Sequence, residues 1–556
     1  NAYPGSVKEK NALNTDFNGG ILGADNPTFH ATIGWDWIST IRGRDIGIWN
    51  DVYLSTSGTL KLADPLITTH LSLPDTLVMM TPAVCLTNSE DHAVSTTVTG
   101  RIGHLHFTKD VTVAPHSRQE VTFSPDEFAQ LRGQRMRLWW PNGYGQPYRY
   151  DAGFEVKTAD GISDSLHFKV GLREVAYRDT ATQLKIYVNG RRIVPLGGNW
   201  GFSESNLNYR TREYDAAVRY HKEMHFNMIR NWVGQTGDDE FYDACDRYGI
   251  LVWQDFWLAN PSDGPDPADE RMFLANARDL IHRIRRHPSI AIYCGRNEGY
   301  PPESLDQALR TDVAALHPSL LYISSSADEG VSGHGPYNAL AAKEYFEKQT
   351  GKLHTERGMP AVMTFEGLVR TLRSDQLWPQ NAVWGQHDYT MGGAQRGESF
   401  NLLIERGFGT PKNARDFTTL AQWINYNGYR AMFESTSKDR QGLLIWMSHP
   451  CWPTMVWQTY DYYLEPTAAY FGAKKACEPL HIQWNPLTRR VEIISLRADS
   501  LAGFTVCATM FDKQGKRLWY AERALTIGEN TTVTDIAIAD PSADTGVYFI
   551  DLQLLD

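Results

Sequence analysis

The chain has 556 residues, 42% of them hydrophobic and 21% charged, with 54 Lys and Arg against 65 Asp and Glu for a net charge of -11. At roughly 150 residues per domain this length means three or four domains, and a mean hydropathy of -0.41 excludes general disorder and a membrane-embedded protein. No apolar run reaches the ~18 residues of a membrane span, and the acidic balance without a basic stripe argues against nucleic acid as a partner.

To about residue 175 the pattern is β. Alternating runs at Val52–Leu54, Leu77–Leu86, Ser95–Phe107 and Gln119–Phe123 are separated by turn clusters such as Asn88-Ser89-Glu90-Asp91, as in sandwich domains. From about 176 to 475 strand and helix alternate. Eight strands are predicted: Ile193–Leu196, Met228–Trp232, Ile250–Asp255, Ile290–Cys294, Leu321–Ser325, Leu353–Glu356, Ala382–His387 and Leu443–Met447. Between the third and fourth, Phe273, Ala277, Leu280, Ile281 and Ile284 form a helical apolar stripe. Eight βα units in about 300 residues predict a (β/α)8 TIM barrel; a doubly wound sheet is the alternative, but no GxGxxG or GxxxxGK[ST] supports it. A second β stretch closes the chain at His481–Trp484, Arg490–Leu496, Phe504–Phe511, Arg517–Arg523 and Val547–Leu554.

In such a barrel the functional side chains sit where strands end. Those ends carry Asn199-Trp200, Asn231-Trp232, Asp255, Arg296-Asn297-Glu298, Glu356, His387 and Trp446. Amides and carboxylates suit sugar hydroxyls, and rings suit sugar faces; the 17 Trp, 26 Tyr and 22 Phe give the chain aromatic groups in excess, although a large core also uses them. Trp200, Trp232, Trp257, Trp384 and Trp446 are read as facing the mouth, Trp253 and Trp423 as core. Glu298 and Glu356 each follow an apolar strand and could flank a glycosidic bond; retaining glycosidases hold two carboxyls ~5 to 5.5 Å apart, one as acid/base and one as nucleophile. Glu366, ten residues on, is a rival. HExxH, GxSxG and zinc-like Cys spacings do not occur, so no metal or organic cofactor is expected; six scattered cysteines suggest no disulfide framework.

These motifs resemble glycoside hydrolase family 2, in the branch of mannosylglycoprotein endo-β-mannosidases and exo-β-glucosaminidases. The resemblance is carried by Gly34-Trp35-Asp36-Trp37, Leu138-Trp139-Trp140-Pro141-Asn142-Gly143, Gly171-Leu172-Arg173-Glu174, Gly249 through Trp257, Asn297-Glu298, Thr355-Glu356-Arg357-Gly358 and Trp446 through Pro453. It implies a jelly-roll sugar-binding domain, of which residues 1–62 would be the last part, an immunoglobulin-like sandwich at 63–175, the barrel at 176–475 and a second such sandwich at 476–556. It implies Glu298 as acid/base, Asn297 on the sugar 2-substituent, Glu356 rather than Glu366 as nucleophile, Trp446 as floor of the terminal sugar subsite, and Asp36 and Trp37 reaching in from the first domain. Arg296 and Ser448-His449-Pro450-Cys451 depart from the family pattern near the expected site, so the terminal sugar is left open.

A retaining exo-β-glycosidase acting on a complex glycan is the leading expectation. The alternatives are an endo-β-mannosidase, a β-galactosidase or α-L-arabinopyranosidase, and a non-catalytic carbohydrate-binding protein. Only 34 residues precede the Trp-Asp-Trp segment, which leads to the expectation that a missing segment or second polypeptide completes the first domain. A periplasmic or secreted location is expected from the substrate alone.

Overall fold

The computed structural model describes residues 48, 50–261, 266–437, 439–538 and 546–556. Asp36, Trp37 and most of the expected first domain lie outside the described residues, and with them the expectation of a completing segment or polypeptide. The predicted strand Val52–Leu54 is described and is irregular and exposed.

Two antiparallel sheets come next. One contains Leu60–Ser72, Leu77–Asn88 and Ser117–Thr122; the other runs Leu105–Val113, Val94–Ile102, Tyr150–Thr158, Gly161–Val170 in spatial order. Along Val94–Ile102 every second residue is buried, the period that places one face on a core. Phe107, Phe123 and Phe154 fill the space between the sheets, with Phe107 edge-on to Phe123 at 4.7 Å. Each such ring contributes about 1.5–3 kcal/mol by burial. The sandwich docks on the barrel through the quoted motifs: Trp139 Nε1 donates to the Asp246 carbonyl (2.9 Å), Asn142 Nδ2 to the Phe226 carbonyl (2.9 Å), and Arg173 to the carbonyls of Pro288 and Ile290.

The barrel strands are β1 (Leu196–Trp200), β2 (Met228–Asn231), β3 (Leu251–Asp255), β4 (Ile290–Arg296), β5 (Leu321–Ser325), β6 (Val331–Ser332), β7 (Leu353–Arg357) and β8 (Leu443–Ile445). All bonded neighbours are parallel, and the order β5-β4-β3-β2-β1-β8-β7-β6 is the cyclic order of a (β/α)8 barrel. Between its two ends, Thr355 Oγ1 donates to the carbonyls of Ser326 (2.8 Å) and Ser332 (3.2 Å). Strands covered on both faces read as continuous apolar runs, and all seven residues of β4 are buried.

Two predicted strands are corrected. Ile193 ends an antiparallel hairpin, Lys185–Val188 with Arg191–Ile193, and the barrel strand starts after Pro195, whose missing N–H divides the apolar run. Ala382–His387 is not a strand: Ala382–Gln386 is a short helix whose N-cap Asn381 accepts from the Val383 N–H, with His387 as its C-cap. The sixth place belongs to Val331–Ser332, which makes Leu353–Arg357 the seventh strand.

Helix α1 (Asp239–Tyr248) ends at Gly249, φ +74°, in the left-handed region; a Cβ there would meet the Trp140 carbonyl and Asn142 N–H at 3.0 Å, so glycine both turns the chain and admits the sandwich loop. Helix α2 (Glu270–Ile284) is capped by Asp269 on the Met272 N–H and buries the predicted stripe. Trp423, expected in the core, is 58% exposed on helix α3 (Ala414–Glu434). The last region forms two three-stranded sheets, Leu480–Trp484, Arg490–Ser495, Asn530–Ala537 and Arg517–Ile527, Leu501–Asp512, Tyr548–Leu555, around Val491, Ile493, Val506 and Ile536.

Candidate active site

The centre of the barrel mouth is organised by Arg230, at the end of β2. Its Nη1 donates to Glu356 Oε1 (2.6 Å), its Nη2 to Asn297 Oδ1 (2.7 Å) and to Asp255 Oδ2 (2.8 Å), and its Nε also reaches Asp255. One planar cation thereby ties β2, β3, β4 and β7 together. Arg230, Asp255 and Glu356 are at most 2% exposed, so removing either carboxylate would leave charge buried without its partner, at a cost of about 3–5 kcal/mol. Asp255 is saturated, since it also accepts from Trp253 Nε1 (2.8 Å) and the Val233 N–H (2.9 Å).

Glu356 Oε2 accepts from the Tyr337 hydroxyl at 2.6 Å. Burial and the nearby charge of Glu298 push the Glu356 carboxyl up to about 8, against the downward pull of Arg230 and Tyr337. Both oxygens of Glu356 already accept from donors, whereas Glu298 faces outward with a side chain 20% exposed.

Glu298 follows β4 with φ +46°, a strained backbone for a residue with a side chain. It is held by its N–H donating to Ser326 Oγ (3.0 Å) and by the preceding Asn297 N–H donating to the Leu258 carbonyl (3.0 Å). His334 Nδ1 lies 3.5 Å from Glu298 Oε1, and that contact raises the imidazole above its usual pKa. Trp446 packs beside Tyr337 (6.3 Å), with Trp232 edge-on at 4.9 Å and Trp457 at 6.0 Å.

Of the residues singled out in the sequence, Glu298, Glu356, Asn297, Trp232 and Trp446 meet here. His387 is at the rim, stacked on Trp452 (5.5 Å) with Nδ1 donating to the Pro453 carbonyl (2.6 Å), which leaves Nε2 as the acceptor end. Six others take different parts. Asp255 orients Arg230. Asn199 Nδ2 binds the carbonyls of Thr355 (2.7 Å) and Ile445 (3.1 Å), stitching β7 to β8. Asn231 is spent on Thr236 and Gln254. Trp200 is fully buried with its face stacked on His449 at 3.7 Å, and Trp384 is buried against Phe417 and Tyr389. Arg296 donates to the Ala259 carbonyl (2.8 Å) and to Asp266 (2.6 Å), fastening the loop after β3. The other departure, Ser448-His449, is likewise internal: Ser448 Oγ meets His221 Nε2 at 2.8 Å and His449 Nε2 donates to the Ser203 carbonyl. Glu366, the rival carboxylate, is on the surface beside Arg415 (3.3 Å).

The central role of Arg230 and the contacts of Tyr337 and His334 were not legible beforehand. Tyr337 and His334 follow a two-residue strand too short to show a hydrophobic period. A cavity of about 510 Å³ lies to one side, lined by Glu204, Tyr209, Gln235, Trp257 and Arg283 among others, and contains neither glutamate; the chemistry, not the size of the hollow, places the site at Arg230. Among the described residues Asp243, Asp246 and His287 form a cluster with metal-ligand spacing, but His287 Nδ1 is hydrogen-bonded to Asp246 (2.7 Å) and Asp246 accepts from the Ser289 N–H, a contact under the start of β4. No described helix is long and apolar enough to cross a membrane.

The family profile "Glycosyl hydrolases family 2" matches residues 60–173. A mannosylglycoprotein endo-β-mannosidase of Lilium longiflorum is 28% identical over 99% of this chain and 65% of its own length. An exo-β-D-glucosaminidase of Streptomyces avermitilis is also 28% identical, over 88% of this chain and 58% of its own. The chain thus spans less than two thirds of the length of these relatives. In fold it superposes on an exo-chitosanase of Amycolatopsis orientalis with a TM-score of 0.81, at 23% identity over 90% of this chain and 62% of that one. With a β-D-mannosidase of Dictyoglomus thermophilum the TM-score is 0.82, at 22% identity over 99% and 72%. The resemblance to glycoside hydrolase family 2, and to its endo-β-mannosidase and exo-β-glucosaminidase branch, holds in sequence and in fold.

Proposed function

Starting from that family resemblance, we propose that this chain is a retaining β-glycosidase that removes a terminal mannose- or glucosamine-like β-linked sugar from a complex glycan. The family match and the hydrolase relatives support glycoside hydrolysis as the class of reaction. The observation that carries the finer reading is the division of labour between the two glutamates: one carboxylate fixed by Arg230 and Tyr337, the other facing outward beside His334.

In the first step Glu356 forms a bond to the anomeric carbon as the bond to the leaving oxygen breaks, and Glu298 transfers its proton to that oxygen. In the second, Glu298 takes a proton from water, the water oxygen bonds to the anomeric carbon and Glu356 is released. Asn297, whose Oδ1 is engaged by Arg230, offers its amide nitrogen to the sugar 2-substituent; Trp446 carries the sugar face, and His387 offers Nε2 at the rim. The lily relative supports endo-β-mannosidase action as a second reading. A glycan is the only partner in this proposal, met outside the cytoplasm.

Hydrolysis of a panel of aryl β-glycosides, with the anomer of the first-formed product read by NMR, tests it. The expectation is turnover of a mannoside or glucosaminide with retention, reduced at least about 10³-fold in Glu356→Gln. Inversion, or full activity of Glu356→Gln, would reject the assignment, and inactivity on every sugar would favour the binding-protein alternative.

A further inference from the structure

Arginine stays charged at any physiological pH, so a buried guanidinium needs acceptors or a counter-charge. Five arginines in the described residues are buried. Arg230 has Asp255 and Glu356, Arg296 has Asp266 and a carbonyl, Arg285 has Glu120 and two carbonyls, and Arg357 has the Lys348 carbonyl and the face of Tyr345. Arg440, 7% exposed, differs from all four: its side chain donates no hydrogen bond and forms no ion pair, and its Nε and Nη2 are buried without a partner. The groups that act on it electrostatically are Tyr144, Cys477 and Arg192, with no carboxylate among them.

The surroundings add positive charge. Arg192 Nη2 donates to the Arg440 carbonyl (2.9 Å) and to Gln441 Oε1 (3.0 Å), while its Nε is also buried and unpartnered. Arg191 lies over the ring of Tyr144 at 4.9 Å, with Glu529, 3.5 Å away, as its acid. The backbone is strained to hold this arrangement: Arg440 has φ +47°. Three parts of the molecule meet here, since Tyr144 comes from the first sandwich, Arg192 and Arg440 from the segments leading into β1 and β8, and Glu529 from the last sandwich. The place is the end of the barrel opposite Glu298 and Glu356.

We propose that Arg440 and Arg192 form a binding site for a small oxyanion of the phosphate or sulfate class, which supplies the missing counter-charge and joins the barrel to its two flanking sandwiches. A tetrahedral oxyanion has enough acceptors to serve both guanidiniums, and bidentate guanidinium contacts are the strong ones. The anion is a structural ligand, remote from the chemistry.

Thermal melting of the whole chain tests the site, in inorganic phosphate titrated against chloride at fixed ionic strength and pH. The expected result is a melting temperature that rises with phosphate and saturates in the millimolar range or below, with a midpoint at least tenfold higher in Arg440→Gln and in Arg192→Gln. In phosphate-free buffer Arg440→Gln should melt no lower than the parent, because it removes an uncompensated buried charge; a residue that only packs would lower it. Glycosidase activity should not change with either variant. A parent protein that melts identically in phosphate and chloride, or a phosphate response that rises without saturating and is equal in parent and variants, would overturn the proposal. If Arg440→Gln does not fold, the half-buried Arg192→Gln decides alone.

Discussion

At the residue scale the candidate site is set by who donates to whom around Glu356. Because burial and the Glu298 charge raise the Glu356 carboxyl to about 8 while Arg230 and Tyr337 pull it down, the nucleophile becomes fully charged only as pH passes that value. The pH profile of kcat/KM should therefore rise through about pH 8. In Glu298→Gln, assayed with an activated aryl leaving group that needs no acid, that limb should shift down because the neighbouring charge is gone; a limb still near 8 would contradict the influence of Glu298 on Glu356. Tyr337→Phe removes a donor to the charged form of Glu356 and should lower kcat about 10- to 100-fold while moving that limb upward, read from the same profile. The two glutamates were legible because each follows an apolar run that must end at a mouth. The part taken by Asn199, Asn231, Trp200 and Trp384 was not, since a polar or aromatic residue at a strand end has the same sequence whether it turns inward to its neighbours or outward to a ligand.

At the scale of elements the errors have physical causes. Ala382–His387 has the apolar content of a strand, but Asn381 caps it as a helix; Val331–Ser332 holds the sixth barrel place with two residues, too few for any period. The consequence reaches the site, because Glu356 moves from the sixth to the seventh strand. What binds the strands there is the Arg230–Asp255 pair, so Asp255→Asn should lower the unfolding free energy by about 3–5 kcal/mol in urea denaturation. A loss under 1 kcal/mol would mean that water or a shifted neighbour takes the place of the carboxylate.

At the scale of the whole molecule, buried histidines set the acid limit. Burial holds His221 and His354 down to about 4 and His449 to about 3, from an ordinary 6.5. The folded state thus binds fewer protons than the unfolded one below 6.5, and the stability these groups contribute, present above that value, is lost as pH falls toward 4. Glu356 acts the other way between 4.5 and about 8, as do Asp388 and the buried His481, whose values are raised, while His317, held well below 6.5 by burial, joins the first three. Melting temperature should drop steeply from pH 6.5 to 4, and His449→Gln should flatten the drop; an unchanged slope would remove His449 from the account. The multidomain layout was legible from periodicity, with the docking of the first sandwich carried by Trp139, Asn142 and Arg173, whose motifs stood out in the sequence although their contacts across more than 80 residues did not.

The central claim is that Glu356 is the nucleophile of a double displacement. A 2-deoxy-2-fluoro β-glycosyl fluoride of the preferred sugar slows release of the covalent intermediate, so peptide mass spectrometry of the inactivated protein reads the attacking residue directly. One sugar per chain is expected, on the peptide containing Glu356, and none on Glu356→Gln. A label on Glu298 or Glu366, or turnover with inversion and no label, would contradict it.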